Sequence, residues 1–166
     1  LAIAQKRWHI RTDENGEKQK VDLGQVGDII NVNPLLIETL LENDFSPVIT
    51  CIASDEEGND YNINGDVFAG KIAAAISADT YIVLTDVDGL YKDYPDPASI
   101  LREIDTATIP KYYGGVISGG MIPKIESCVS AVESGVKEAV ILNGTRPEQI
   151  TDFIINQIKI GTTIKL

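Results

Sequence analysis

Along residues 1–22 apolar and polar side chains alternate, and the run is divided by Asp13-Glu14-Asn15-Gly16, a turn signal that predicts a β-hairpin. Asp28-Ile29-Ile30-Asn31-Val32 then reads as a short strand, and Asn33-Pro34 as an N-cap followed by proline in the first helical position. The helix expected over 34–43 carries Leu36, Leu40 and Leu41 on one face. An apolar strand is expected over 45–53, closed by the acidic turn Ser54-Asp55-Glu56-Glu57-Gly58. Beyond it helix-length and strand-length segments alternate: helix 65–77, strand 80–85, helix 121–134, strand 137–142, helix 147–157 and strand 161–165. Such alternation predicts an α/β fold, a three-layer α/β/α sandwich whose central sheet is mainly parallel and covered by helices on both faces. Ligands of such folds gather beyond the carboxyl ends of the strands, so the loops that follow strands bear most on function.

The 166 residues are close to one domain's worth of chain, and no internal repeat or low-complexity tract divides them, so a single lobe over 1–166 is expected. The proline-rich piece Asp93-Tyr94-Pro95-Asp96-Pro97 is short enough to be a shaped loop. With 43% hydrophobic and 23% charged residues, the chain can bury a core. Lys and Arg number 14 against 25 Asp and Glu, a formal charge of −11 that argues against a general nucleic-acid binder. No apolar stretch approaches the ~20 residues that span a bilayer, so no membrane association is expected. Cys51 and Cys128 stand far apart in apolar segments, and His9 is the single histidine, which leaves no soft-ligand set for a metal. Buried, reduced thiols in a cytoplasmic protein are the expectation. His9 follows Trp8 at the hairpin edge, a poor place for the base of a catalytic triad. Leu1 already lies inside a strand pattern, so the chain reads as a fragment or processed product.

Four stretches bear on chemistry. Gly65-Asp66-Val67-Phe68-Ala69-Gly70-Lys71 matches a phosphate-binding P-loop up to its lysine, but Ile72 replaces the required Ser or Thr. Phe68, Ile72, Ala75 and Ile76 recur at helical spacing, so Gly70 and Lys71 fall inside a helix, where no loop can wrap phosphates. In Tyr61-Asn62-Ile63-Asn64-Gly65-Asp66, Asn64 suits the helix cap and Asp66 the positive end of the helix dipole. Capping does not account for Asn62, a second amide that could reach a ligand carboxylate. Thr85-Asp86-Val87-Asp88-Gly89-Leu90-Tyr91 follows the most apolar strand; it reads either as a plain turn or as a nucleotide rim offering carboxylates, amides and an aromatic ring. The strongest local signal is Gly114-Gly115-Val116-Ile117-Ser118-Gly119-Gly120-Met121-Ile122-Pro123-Lys124. Its glycine pairs let main chain approach a ligand, the helix that follows is expected to present unpaired amides, and Lys124 places an ammonium in the first turn. In a chain of charge −11 that local positive focus matters for an anionic ligand.

Taken together, residues 61–66, 85–91 and 119–124 resemble the amino acid kinase family, and the Asn-x-Asn-x-Asp segment and the 116–124 run resemble its N-acetylglutamate-phosphorylating branch. Val32-Asn33-Pro34 and Gly161-Thr162-Thr163-Ile164 extend the likeness to about residues 21–165, the later part of that family's chain. The resemblance implies an ATP-binding lobe whose N-terminal substrate lobe is missing, inactive alone, serving ATP-dependent phosphorylation of the side-chain carboxylate of N-acetyl-L-glutamate in arginine biosynthesis. It implies Lys124 and Asp66 as catalytic, the first stabilising charge on the transferring phosphoryl group and the second holding lysines in place. It implies Asn62, with Asn64 beside it, on the substrate side, and Asp86, Val87, Asp88, Gly89, Leu90, Tyr91, Val116, Ile117, Ser118, Gly120, Met121 and Lys124 around the nucleotide. Magnesium is expected to arrive with ATP, with no protein ligand assigned to it, and the partners expected are small molecules and a second copy of the chain in a dimer. Another amino acid kinase, such as glutamate 5-kinase, or a non-catalytic nucleotide-binding module would share the nucleotide loops. The segment Asn143-Gly144-Thr145-Arg146-Pro147-Glu148-Gln149 and the helix after it lack the histidine that arginine-inhibited members tend to carry there, a departure from the pattern of those members that leaves arginine feedback open.

Overall fold

Strand β1 (Ala2–Thr12) pairs antiparallel with β2 (Lys18–Val32) in the computed structural model, which describes every residue except Asn15. The expected hairpin is therefore present, while its turn at 13–16 lies partly outside the described residues. The separate short strand expected at 28–32 is instead the far end of β2. The strand continues because Gly24, at φ +75°, and irregular pairing between Lys6 and Trp8 let it bend without ending.

The chain divides into two compact units, Leu1–Ile76 and Ser77–Leu166. In the first, β1 and β2 close into a small barrel with β3 (Ile52–Ser54) and β4 (Asp60–Asn62), in the order β1-β2-β4-β3. Helix α1 (Leu35–Glu42) follows β2, and α2 (Gly65–Ala75) follows β4. Ala4, Ala53, Tyr61, Ile63 and Phe68 form the core, with Ile29 and Ile72 packed against it. Gly70 and Lys71 lie inside α2, as their spacing requires. In α1 the buried residue is Ile37, while Leu36 and Leu41 are about half exposed. The strand expected over 45–53 forms only at its end. Residues 45–51 are irregular, with Phe45 and Val48 exposed; Pro47 cannot donate to a ladder, and only Ile52–Ser54 find a partner, in β4.

The second unit is built on a mixed sheet of order β5-β7-β8-β6, formed by β5 (Thr80–Thr85), β6 (Glu103–Asp105), β7 (Glu138–Asn143) and β8 (Thr162–Lys165). β5 and β7 run parallel from Thr80 opposite Glu138 to Thr85 opposite Asn143, β8 returns antiparallel to β7, and β6 is parallel to β8. The α/β class is as expected, with sheets of mixed direction. Ala139, Val140, Ile141 and Leu142 are fully buried, a run of four with no alternation, which marks a strand covered on both faces. Helix α3 (Met121–Glu133) packs on β5, β7 and β8, and α4 (Glu148–Ile154) on β7. α4 stops three residues short of the helix expected over 147–157. β6 and the 3-10 turn at Thr106–Tyr112 were not legible in advance, since three residues carry no usable period and a 3-10 turn carries none. Cys128 is buried and Cys51 half-buried, and the two are not joined in a disulfide.

Candidate functional site

In the first unit, Asn62 ends β4 and Asn64 caps α2. Tyr61 and Ile63 are buried at 5% and 2% exposure while Asn62 and Asn64 are exposed, so the two-residue strand period turns both amides to the open side. The Asn64 side-chain oxygen accepts the Val67 N–H at 3.1 Å, which leaves its Nδ2 for any ligand. Asp66 is half-buried in the first turn of α2.

In the second unit, the loop after β5 is held at both ends. Leu90 is 2% exposed and its N–H donates to the buried Thr162 hydroxyl at 2.8 Å. Gly89 sits at φ +137°, and a Cβ there would meet Thr162 Oγ1 at 2.7 Å, so no other residue fits. The two carboxylates of this loop differ. Asp86 is exposed and receives a 3.2 Å bond from the Thr85 hydroxyl. Asp88 faces inward: Asn143 Nδ2 donates to its Oδ1 at 2.7 Å, Gln149 Nε2 to the same oxygen at 3.0 Å, and Arg146 Nη1 to its Oδ2 at 3.1 Å. The Asn143 hydrogen bond, then those of Gln149 and the Arg146 charge, hold the Asp88 carboxyl below its usual range against the opposing effect of burial. Burial and the Asp88 charge push the Tyr91 phenol up, so it stays a donor and reaches Asp88 Oδ2 at 3.4 Å.

The glycine-rich turn precedes α3. Because α3 ends at Glu133 just before β7 begins at Glu138, and packs along β5 and β7, it runs back over the sheet. Its N-terminus therefore lies at the carboxyl end of β5 and β7, the same end as the 86–91 loop. Ile117 anchors the turn, fully buried, with its N–H on Tyr112 O at 2.9 Å; Val116 and Met121 are half-buried and Ser118 exposed. The expected row of unpaired amides at the start of α3 is shorter than anticipated. Met121 N–H bonds Ser118 O at 3.1 Å, Ile122 N–H bonds Gly119 O at 3.2 Å, and Pro123 has none to offer. The turn nevertheless has bare main chain. Gly114 and Gly119 need glycine for φ of +78° and +52°, whereas Gly115 and Gly120 avoid that region and have nothing within 4 Å of an added Cβ. The fold thus gives no reason for glycine at 115 and 120, and open space beside them is where a ligand would come. Lys124, half-buried, stands in the first turn of α3.

Neither loop lines the cavity of about 600 Å³ at the opposite end of this sheet, bordered by Asp79, Thr80 and Glu138 at the amino ends of β5 and β7. Among the described residues no group of three or more His, Cys, Asp or Glu could hold a metal ion, and no helix is long and apolar enough to cross a membrane. Reading the motifs missed Thr162, Arg146, Gln149 and the inward role of Asn143. Their contacts join segments more than fifty residues apart, which local pattern cannot reveal.

The sequence profile described as the Amino acid kinase family matches residues 4–143, and the chain belongs to that family. It is similar to a protein named acetylglutamate kinase from Methanosphaera stadtmanae, 45% identical over 153 residues, covering 92% of this chain and 51% of the relative. Another acetylglutamate kinase, from Heliobacterium modesticaldum, is 38% identical over 165 residues, covering 99% of this chain and 56% of the relative. The chain thus spans about half the length of these curated relatives. Among solved structures, smu.665 from Streptococcus mutans UA159 superposes with a TM-score of 0.74 at 28% identity, covering 99% of this chain and 56% of that one.

Proposed function

We propose that this chain is the ATP-binding lobe of a phosphotransferase that phosphorylates the side-chain carboxylate of N-acetyl-L-glutamate. The observation that carries it is the bare main chain at Gly115 and Gly120 beside Lys124 and the positive end of α3, together at the carboxyl end of two parallel strands. The similarity to relatives named acetylglutamate kinase supports the choice of acceptor.

In this reading the ATP phosphates lie along the 114–120 turn, and residues 86–91 border the nucleoside. The Lys124 ammonium stabilises charge that builds on the transferring and leaving oxygens. In the first unit, Asn62 receives the α-carboxylate of the acceptor, and Asp66 holds a lysine side chain in position. The acceptor carboxylate is ionised at neutral pH, so it attacks phosphorus without a general base, and catalysis consists of alignment and charge neutralisation. Magnesium enters on the ATP phosphates, and the small molecules ATP and N-acetyl-L-glutamate are the partners. Titration calorimetry on the chain tests the nucleotide part of the reading, with Mg-ATP expected to bind, and a substrate panel on the complete protein tests the acceptor, with N-acetyl-L-glutamate expected to be preferred over glutamate and aspartate. A chain that takes up no nucleotide, or a complete protein that favours free glutamate, contradicts it.

A further inference from the structure

We propose that Asp88 is a positioning residue that works from behind the nucleotide site, locking the 86–91 loop onto the 143–149 turn and making that turn part of the site's machinery. The inference rests on the nucleotide reading of that loop and adds residues to it. Four donors converge on this one carboxylate: Asn143 and Gln149 on Oδ1, Arg146 and Tyr91 on Oδ2. A carboxylate has about four lone-pair sites, so nothing remains with which Asp88 could bind a ribose hydroxyl or a metal directly. The turn it grips is itself stiff. Gln149 gives its Nε2 to Asp88 and takes the Asn143 N–H on Oε1 at 3.0 Å. Asn143, 5% exposed, takes both the N–H and the hydroxyl of Thr145 on its Oδ1 at 3.0 and 2.7 Å. With Leu90 fixed on Thr162, the loop has one anchor at Asp88 and a second two residues on, which leaves Asp86 as its exposed carboxylate, with Val87 half-buried beside it.

The test combines Mg-ATP calorimetry with amide hydrogen exchange on the whole chain, for Asp88→Asn, Gln149→Ala and the double variant. Each single variant is expected to weaken Mg-ATP by about tenfold and to speed exchange at Leu90 and Tyr91. The double variant is expected to bind no worse than the weaker single, because both changes open one lock. Should Asp88→Asn fail to fold, Arg146→Ala removes an exposed arm of the same lock and is expected to weaken Mg-ATP by about twofold to threefold. Additive losses would mean that Asp88 touches the ligand, and unchanged exchange would mean that it locks nothing; either result overturns the proposal. A wild-type chain that ignores ATP while its variants still exchange faster removes the nucleotide reading and leaves the lock standing.

Discussion

Replacing Gly89 by alanine tests whether the loop after β5 is held by backbone geometry. The residue sits at φ +137°, where an L side chain is strained by about 1–3 kcal/mol. An added Cβ would also stand 2.7 Å from Thr162 Oγ1, 3.1 Å from the Gly161 carbonyl carbon and 3.2 Å from Ile100 Cγ2, an overpacking that costs a further 1–3 kcal/mol or about that. A total of roughly 2–6 kcal/mol is a large part of the 5–15 kcal/mol that holds a typical domain together. With a urea slope of about 2 kcal/mol per molar, Gly89→Ala should lower the unfolding midpoint by about 1–3 M, followed by far-UV circular dichroism. The two contributions separate in a double variant: Gly89→Ala with Thr162→Ala relieves the closest contact and leaves the backbone strain, so its losses should fall short of the sum of the singles. A midpoint for Gly89→Ala within experimental error of wild type would refute the argument.

The remaining predictions are of contrasting kinds. Gly115→Ala and Gly120→Ala add a methyl to open space outside the left-handed region, so each should change stability by no more than about 0.5 kcal/mol in a urea titration while weakening Mg-ATP in calorimetry. Loss of stability without loss of affinity would show that those glycines serve the fold. In the first unit, Gly27→Ala would push a Cβ to 2.7 Å from Tyr61 Cβ and 2.9 Å from Gln5 O, and a drop of about 1–3 kcal/mol is expected in thermal melts. An unchanged melt would mean that Tyr61 is not seated as described. Asp55 accepts from Asn59, Glu57 and Tyr61, and the Asn59 side chain foremost lowers its carboxyl to about 2. The folded value lies below the unfolded one, so this turn adds stability that is complete above the ordinary carboxylate value of 3.8 and is lost as pH falls through about 2. A carbon-detected NMR titration should place the Asp55 midpoint near 2 and move it up in Asn59→Ala; an ordinary midpoint in the wild type would contradict the geometry.

Much of this could be anticipated from local pattern. β5 matched residue for residue, since Tyr81-Ile82-Val83-Leu84 is an unbroken apolar run bounded by turn residues. The Asn64 cap, the burial of Gly70 in α2 and the start of α3 at Met121 follow from side chains within four positions of one another. What escaped depends on distant partners. Whether residues 45–51 form a strand depends on whether a neighbour strand pairs with them, and nothing in Phe45-Ser46-Pro47-Val48 reports that. Of the candidate site, the Lys124 turn and the 86–91 loop were visible as motifs, but not the division of labour within the loop. Asp86 and Asp88 are the same residue type two positions apart, and the distant donors Asn143, Arg146 and Gln149, with Tyr91 nearby, distinguish them. The spacing of the leucines in α1 shows which side could be buried and not whether anything covers it, and Leu36 and Leu41 are about half exposed.

The central claim, that Lys124 and the glycine turn before it receive the phosphates of ATP, is met most directly by titrating Mg-ATP into the wild-type chain and into Lys124→Ala. Removing the ammonium should reduce affinity by about tenfold or more, while the unfolding midpoint stays close to wild type. Equal affinity in the two proteins would contradict the account.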